Sequence, residues 1–133
     1  MFREEARTVI VGTGIDMVEV GRIAAALDRF GARFAERVFT AAEIRYCDSK
    51  ANRAERYAAR FAAKEAGLKA IGTGWSRGIS WRDVGVERAS GGRPLLVFSG
   101  RAGEVAAGLG VKRAFLSLTH TAECAVAQVI LEG

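Results

Sequence analysis

The chain is poor in the residues that build metal clusters, disulfide frameworks and rigid turns: its 133 residues include one histidine, two cysteines and one proline. One histidine excludes a zinc site with several imidazole ligands. Cys47 and Cys124 lie far apart and form no Cys-x-x-Cys spacing, so they are read as reduced, packed thiols rather than a disulfide pair. No apolar run approaches the roughly 18 residues of a membrane span. The stretch Met1–Thr8 is charged and lacks the hydrophobic segment of a secretory leader. These absences point to a cytoplasmic protein. Linkers, internal repeats and low-complexity tracts are also missing. What remains is the composition of one globular domain, 50% hydrophobic and 26% charged, with a net charge of +5. That balance favours an acidic partner or a phosphorylated ligand.

Local patterns predict an α+β fold, a small antiparallel sheet packed with one long and several short helices. Val9–Asp16 reads as a β-branched strand loosened by Gly12 and Gly14. Glu19–Phe30 carries Val20, Ile23, Ala24 and Leu27 at helical spacing. Thr40-Ala41-Ala42-Glu43 is a capping-box pattern that opens a short helix. The longest helix is predicted over 54–71, stopped by Gly72-Thr73-Gly74. Strands are expected over 79–88 and 95–98, joined by the turn-rich Ser90–Pro94. A glycine-interrupted helix near 102–109 and two closing strands, 114–119 and 124–131, complete the chain.

Three segments carry candidate chemistry. Gly12-Thr13-Gly14-Ile15-Asp16 is not a dinucleotide fingerprint, because Met17 stands where the third glycine belongs and no helix opens on the glycines. Asp16 remains, a carboxylate between Ile15 and Met17 that needs a cation, a metal or backbone donors, or else caps the following helix. On the long helix, Ala59, Ala62, Ala63, Ala66 and Ala70 form a small-residue face, and Tyr57, Phe61 and Leu68 a bulkier stripe. Arg53, Arg56 and Arg60 form a basic edge, while Glu65 and Lys69 flank the packing sectors. Either those two make an ordinary i,i+4 pair, or they serve an internal role. His120, in Ser117-Leu118-Thr119-His120-Thr121, is a turn residue or a ligand-bonding one.

Taken in order, these segments resemble the holo-[acyl-carrier-protein] synthase family, the short bacterial 4′-phosphopantetheinyl transferases. The resemblance rests on Gly12–Val20 with Arg22, on Arg37-Val38-Phe39-Thr40 with Glu43, and most specifically on Arg60–Ala66 continuing to Lys69–Gly74. Leu116–Thr121 with Ala125-Val126-Ala127 closes it, so it spans about residues 9–132 and leaves 1–8 as an N-terminal extension. It implies one transferase domain over 9–133 that moves 4′-phosphopantetheine from coenzyme A to a serine of apo-acyl carrier protein and releases adenosine 3′,5′-bisphosphate. It further implies Mg²⁺ dependence, a homotrimer with active sites between subunits, and a role in fatty-acid biosynthesis. By the same resemblance Asp16 and Glu65 hold the metal, and Lys69 contacts the phosphates. Arg60, Lys64, Gly72, Thr73, Gly74 and His120 lie along the coenzyme A site, and Arg22 faces the acidic carrier protein.

The physics of the residues agrees with this implication. Mg²⁺ keeps waters and takes only one or two carboxylates beside substrate phosphates, so two protein acids suffice. Residues 43–70 hold seven Lys or Arg against four Asp or Glu, a local excess that would attract coenzyme A and an acidic protein alike. The contrasting expectation is a small basic nucleic-acid-binding domain built on the Arg53/Arg56/Arg60 edge. Against it, acids are interspersed throughout, and no basic run, zinc motif or aromatic RNA-binding signature accompanies the charge.

Overall fold

The computed structural model describes residues 8–133; the expected N-terminal extension falls almost wholly outside the described residues. The chain runs β1 (Ile10–Glu19), α1 (Val20–Phe30), α2 (Ala32–Val38), α3 (Ala41–Asp48), α4 (Arg53–Ile71), β2 (Val84–Arg88), β3 (Pro94–Phe98), α5 (Gly100–Gly108), β4 (Arg113–His120) and β5 (Cys124–Glu132). The expected α+β class is the observed one. Instead of one sheet there are two, a three-stranded antiparallel sheet in the order β1-β5-β4 and a β2-β3 hairpin.

The β1–α4 contact organises the molecule. Gly12, Gly14, Asp16 and Val18 share the face of β1 that meets α4, while Ile15 and Met17 point away at 60% and 68% exposure. A Cβ on Gly12 would lie 2.0 Å from the Ala70 carbonyl oxygen, and one on Gly14 would lie 1.9 Å from that of Ala66. The glycines therefore let strand backbone touch helix backbone, and the alanine face of α4 supplies the matching surface: Ala59, Ala62, Ala63 and Ala66 are fully buried. Ala125, Ala127, Val129 and Leu131 of β5 complete this core. Gly67, costly by helix propensity at about 1 kcal/mol against alanine, faces the hairpin, where a Cβ would meet Val84 Cγ1 at 3.0 Å.

Several boundaries differ from expectation for visible reasons. β1 continues to Glu19, because Met17, Val18 and Glu19 stay in register with Val126, Ala125 and Cys124. Asp16 consequently lies within the strand and is no helix cap; α1 starts from Glu19 without a side-chain cap, its Val20 amide donating to the Glu123 carbonyl at 2.8 Å. The stretch expected as a strand from Ile79 is extended only from Val84. Before it, Ser80 and Asp83 cap a single 3₁₀ turn, Trp81–Asp83. The short helix α2 was not marked by any sequence pattern. The Thr40/Glu43 capping box of α3 is present with both of its hydrogen bonds.

Candidate active site

Asp16 and Lys69 meet where β1 crosses α4. The Lys69 ammonium donates to Asp16 Oδ1 at 3.1 Å and to the Ile15 carbonyl at 2.9 Å. Glu65 lies one turn earlier on the same helical face, yet it does not pair with Lys69. Its Oε1 instead accepts the indole N–H of Trp75 at 3.3 Å. The ordinary i,i+4 pair is thus replaced by two separate engagements, one cation on Asp16 and one neutral donor on Glu65.

This donor set fits Mg²⁺. Asp16 already binds a cation in the form of the Lys69 ammonium, its carboxylate lying mostly inside the crossing. Among the described residues no three His, Cys, Asp or Glu gather into a ligand cluster. A metal here would rest on the Asp16 and Glu65 carboxylates with substrate phosphates and waters, the pattern Mg²⁺ prefers.

The other sequence-predicted residues fall in different settings. Gly72 ends α4 in the left-handed region (φ 78°), its amide donating to the Leu68 and Lys69 carbonyls, and the Thr73–Gly74 turn follows. His120 lies on the inner face of β4 with Nδ1 2.9 Å from Glu55 Oε1, near the start of α4. Arg22 is exposed on α1. Among the described residues a shallow depression beside α1 and α2 is lined by Phe30, Arg33, Phe34 and Arg37.

Arg60 and Lys64 depart most from expectation. Lys64 is fully buried: its ammonium donates to Glu43 Oε1 and the Val84 carbonyl at 2.8 and 2.7 Å, with Trp81 O at 3.4 Å. Three acceptors exhaust its three donors, so in this structure Lys64 ties α4 to α3 and β2 rather than presenting a charge to a ligand. Burial lowers its pKa, with the Glu43 carboxylate opposing. Glu43 is shared among Thr40 N, Lys64 and the Val86 amide, the last at 2.7 Å. Arg60 is not on an exposed edge but 4% accessible, its guanidinium 4.2 Å from the Tyr46 ring centroid; desolvation lowers its pKa. It opens into a cavity of about 320 Å³ with Tyr46, Val86 and Arg88. Arg56 and Arg88 donate to the Tyr46 hydroxyl at 3.1 and 2.8 Å.

The sequence did not reveal the Trp75–Glu65 contact, the places of Tyr46 and Arg88, or the second role of Glu43. The capping box flagged Glu43 locally. Nothing in the spacing of the other three foretold their neighbours, because each is brought in by a loop, a short helix or a hairpin.

The arrangement matches known proteins along its length. The model of the 4′-phosphopantetheinyl transferase superfamily matches residues 12–127. A holo-[acyl-carrier-protein] synthase of Koribacter versatilis is 62% identical over 124 residues, covering 93% of this chain and 99% of that protein. One of Solibacter usitatus is 53% identical over 125 residues, covering 94% and 100%. Among solved structures, the holo-[acyl-carrier-protein] synthase of Neisseria meningitidis superposes with a TM-score of 0.84 at 31% identity, covering 94% of this chain and all of the other. The Bacillus anthracis enzyme in complex with CoA (3′,5′-ADP) gives 0.76 at 38% identity, covering 93% and 97%.

Proposed function

Because this chain belongs to the 4′-phosphopantetheinyl transferase superfamily and is an enzyme of its holo-[acyl-carrier-protein] synthase family, we propose that it transfers 4′-phosphopantetheine from coenzyme A to a serine of apo-acyl carrier protein. The products are the holo-carrier and adenosine 3′,5′-bisphosphate. The observation that carries this reading is the meeting of the Asp16 carboxylate with the Lys69 ammonium across the β1–α4 crossing, with Glu65 one turn away.

In the reaction the carrier serine oxygen forms a new bond to the phosphorus bearing the pantetheine arm, and the bond from that phosphorus to the leaving bisphosphate breaks. Asp16 and Glu65 would hold Mg²⁺, which when bound supplies charge neutralisation at the pyrophosphate. Lys69, exposed at its tip and tethered to the strand, is in reach to offer its ammonium to a phosphate in place of the Ile15 carbonyl. The serine proton must leave as the bond forms. Either Glu65 or a water held at the site would accept that proton. The Gly72-Thr73-Gly74 turn at the end of α4 would lie along the coenzyme A chain and offer it the Gly74 amide and the Thr73 hydroxyl oxygen as an acceptor, since the Gly72 and Thr73 amides donate to helix carbonyls; Arg60 and His120 would lie farther along it.

The partner is acidic on this reading. Arg29, Arg33 and Arg37 form a basic rim at Phe30, with Arg22 exposed about two turns earlier on α1, fit for an acidic helix-bearing protein. The enzyme works as a homotrimer in the cytoplasm and supports fatty-acid biosynthesis. The outer face of the three-stranded sheet supports assembly, because Ile15, Met17 and Phe115 lie exposed on it beside Val126 and Ile130. No helix among the described residues is long and apolar enough to cross a membrane. The alternative of a nucleic-acid-binding domain accounts for the positive charge but not for two carboxylates set among it.

Asp16→Ala and Glu65→Ala test the reading. Each is expected to abolish transfer at moderate Mg²⁺ while circular dichroism and melting stay close to the parent's. Parent-like turnover by either folded variant would remove that residue from the metal site.

A further inference from the structure

We propose that Trp75 is a positioning residue for Glu65: its indole N–H fixes one oxygen of that carboxylate and leaves the other for a metal. The inference rests on the reading of Glu65 as a metal ligand. A glutamate on a helix has three rotatable side-chain bonds, and fixing it from solvent costs rotamer freedom. Most of that cost is met here before any ligand arrives, since Trp75 Nε1 lies 3.3 Å from Glu65 Oε1.

Trp75 is itself held. Gly72 turns the chain out of α4 in a left-handed conformation, and the loop folds back along the helix. Ser76 Oγ donates to the Thr73 carbonyl at 2.7 Å, and Arg101 Nε to the Arg77 carbonyl at 3.1 Å, which fixes the loop on both sides of Trp75. The indole lies on Trp81 with ring centroids 3.6 Å apart, and Trp81 stacks on Phe61 of α4 at 4.9 Å. The Trp81 carbonyl in turn accepts from Lys64, the residue before Glu65. The stack thus starts on α4, passes through the loop and returns to α4 at the carboxylate. The indole is an N–H donor with no acceptor of its own, so it orients a carboxylate without competing for a cation.

Trp75→Phe keeps the ring and removes the donor. The probe is Mn²⁺ with coenzyme A and no carrier protein, the free ion followed by its paramagnetic resonance. Trp75→Phe is expected to bind Mn²⁺ about threefold to tenfold more weakly, as for a hydrogen bond to a charged group at a half-exposed site. Coenzyme A affinity without metal should be unchanged. Transfer should then show a raised Mg²⁺ requirement with kcat recovered at saturating Mg²⁺. Trp81→Phe, which retains both donor and stacking, is expected to bind Mn²⁺ within about twofold of the parent. Unchanged Mn²⁺ affinity in Trp75→Phe, with only its melting temperature lowered, would overturn the inference and leave the proposed function standing. Failure of the parent protein to bind Mn²⁺ would overturn both. Should Trp75→Phe not fold, the Trp81→Phe protein keeps the test, because Trp75 is then its sole tryptophan. Mg²⁺ with coenzyme A should shift its emission, and emission unmoved by a metal that binds would overturn the inference.

Discussion

Lys69 holds two oxygens of β1 rather than the carboxylate one turn before it on its own helix. That choice separates a site from a surface ion pair: the long-range bonds hold a cation against Asp16 and leave Glu65 to Trp75. Cys47 shows the opposite situation, a reactive group made inert. It is fully buried, and burial pushes its thiol from the ordinary 9.0 up to about 12. Iodoacetamide at pH 8 is therefore expected to spare Cys47 in the folded protein and label it after unfolding, which peptide mapping would show. The sign for stability follows. The folded state keeps this proton where the unfolded chain has lost it, so the contribution is whole below about pH 9 and fades as pH rises toward 12. Rapid labelling of native Cys47 would contradict the packing around it. At this scale the sequence was legible where a motif named the residue, as for Asp16, Glu65 and Lys69. It was not legible where a neighbour arrives from far along the chain, as Trp81 and Val84 do at Lys64.

Among the elements, the β1–α4 crossing matters most, and it explains the two glycines that superficially suggest a phosphate loop. Their function is contact: each Cα replaces a side chain so that strand and helix backbones meet. Gly14→Ala would place a Cβ 1.9 Å from the Ala66 carbonyl oxygen and must push β1 off the helix. The expected loss is about 3 kcal/mol or more, the upper end of overpacking costs, read as a lowered denaturation midpoint at constant slope. An unaltered midpoint would mean that the elements are not so closely packed. The small-residue stripe on α4 announced some such neighbour, and the β-branched run of β1 announced the strand. Neither α2 nor the 3₁₀ turn at Trp81–Asp83 was legible. Each is one or two turns long, too short for periodicity, and the turn depends on mutual capping by Ser80 and Asp83. The buried Glu43–Lys64 pair was half legible, since the capping box identified Glu43 but not the hairpin amide it also accepts.

For the whole molecule, one sheet face is given to the helices and the other is left open, with Ile15, Met17 and Phe115 exposed among polar residues. A chain that presents Ile15 and Met17 at 60% and 68% exposure in one strand has a surface suited to a second copy. For the proposed trimer, Met17→Lys is expected to give a monomer by light scattering at fixed concentration while the far-ultraviolet spectrum persists; a trimer that survives the charge would place the interface elsewhere. The basic rim on α1 and α2 lies apart from that face along the chain and is left for an acidic partner. The fold class was readable at this scale, because helix and strand periodicities alternate as an α+β chain must. The division into two sheets was not, since strand pairing across α5 leaves no local trace. The most direct test of the proposed transfer is the intact mass of apo-acyl carrier protein after incubation with this enzyme, coenzyme A and Mg²⁺, with EDTA as control. A gain of one phosphopantetheine group that EDTA prevents is expected. An unchanged mass with a folded enzyme and a competent carrier would contradict it.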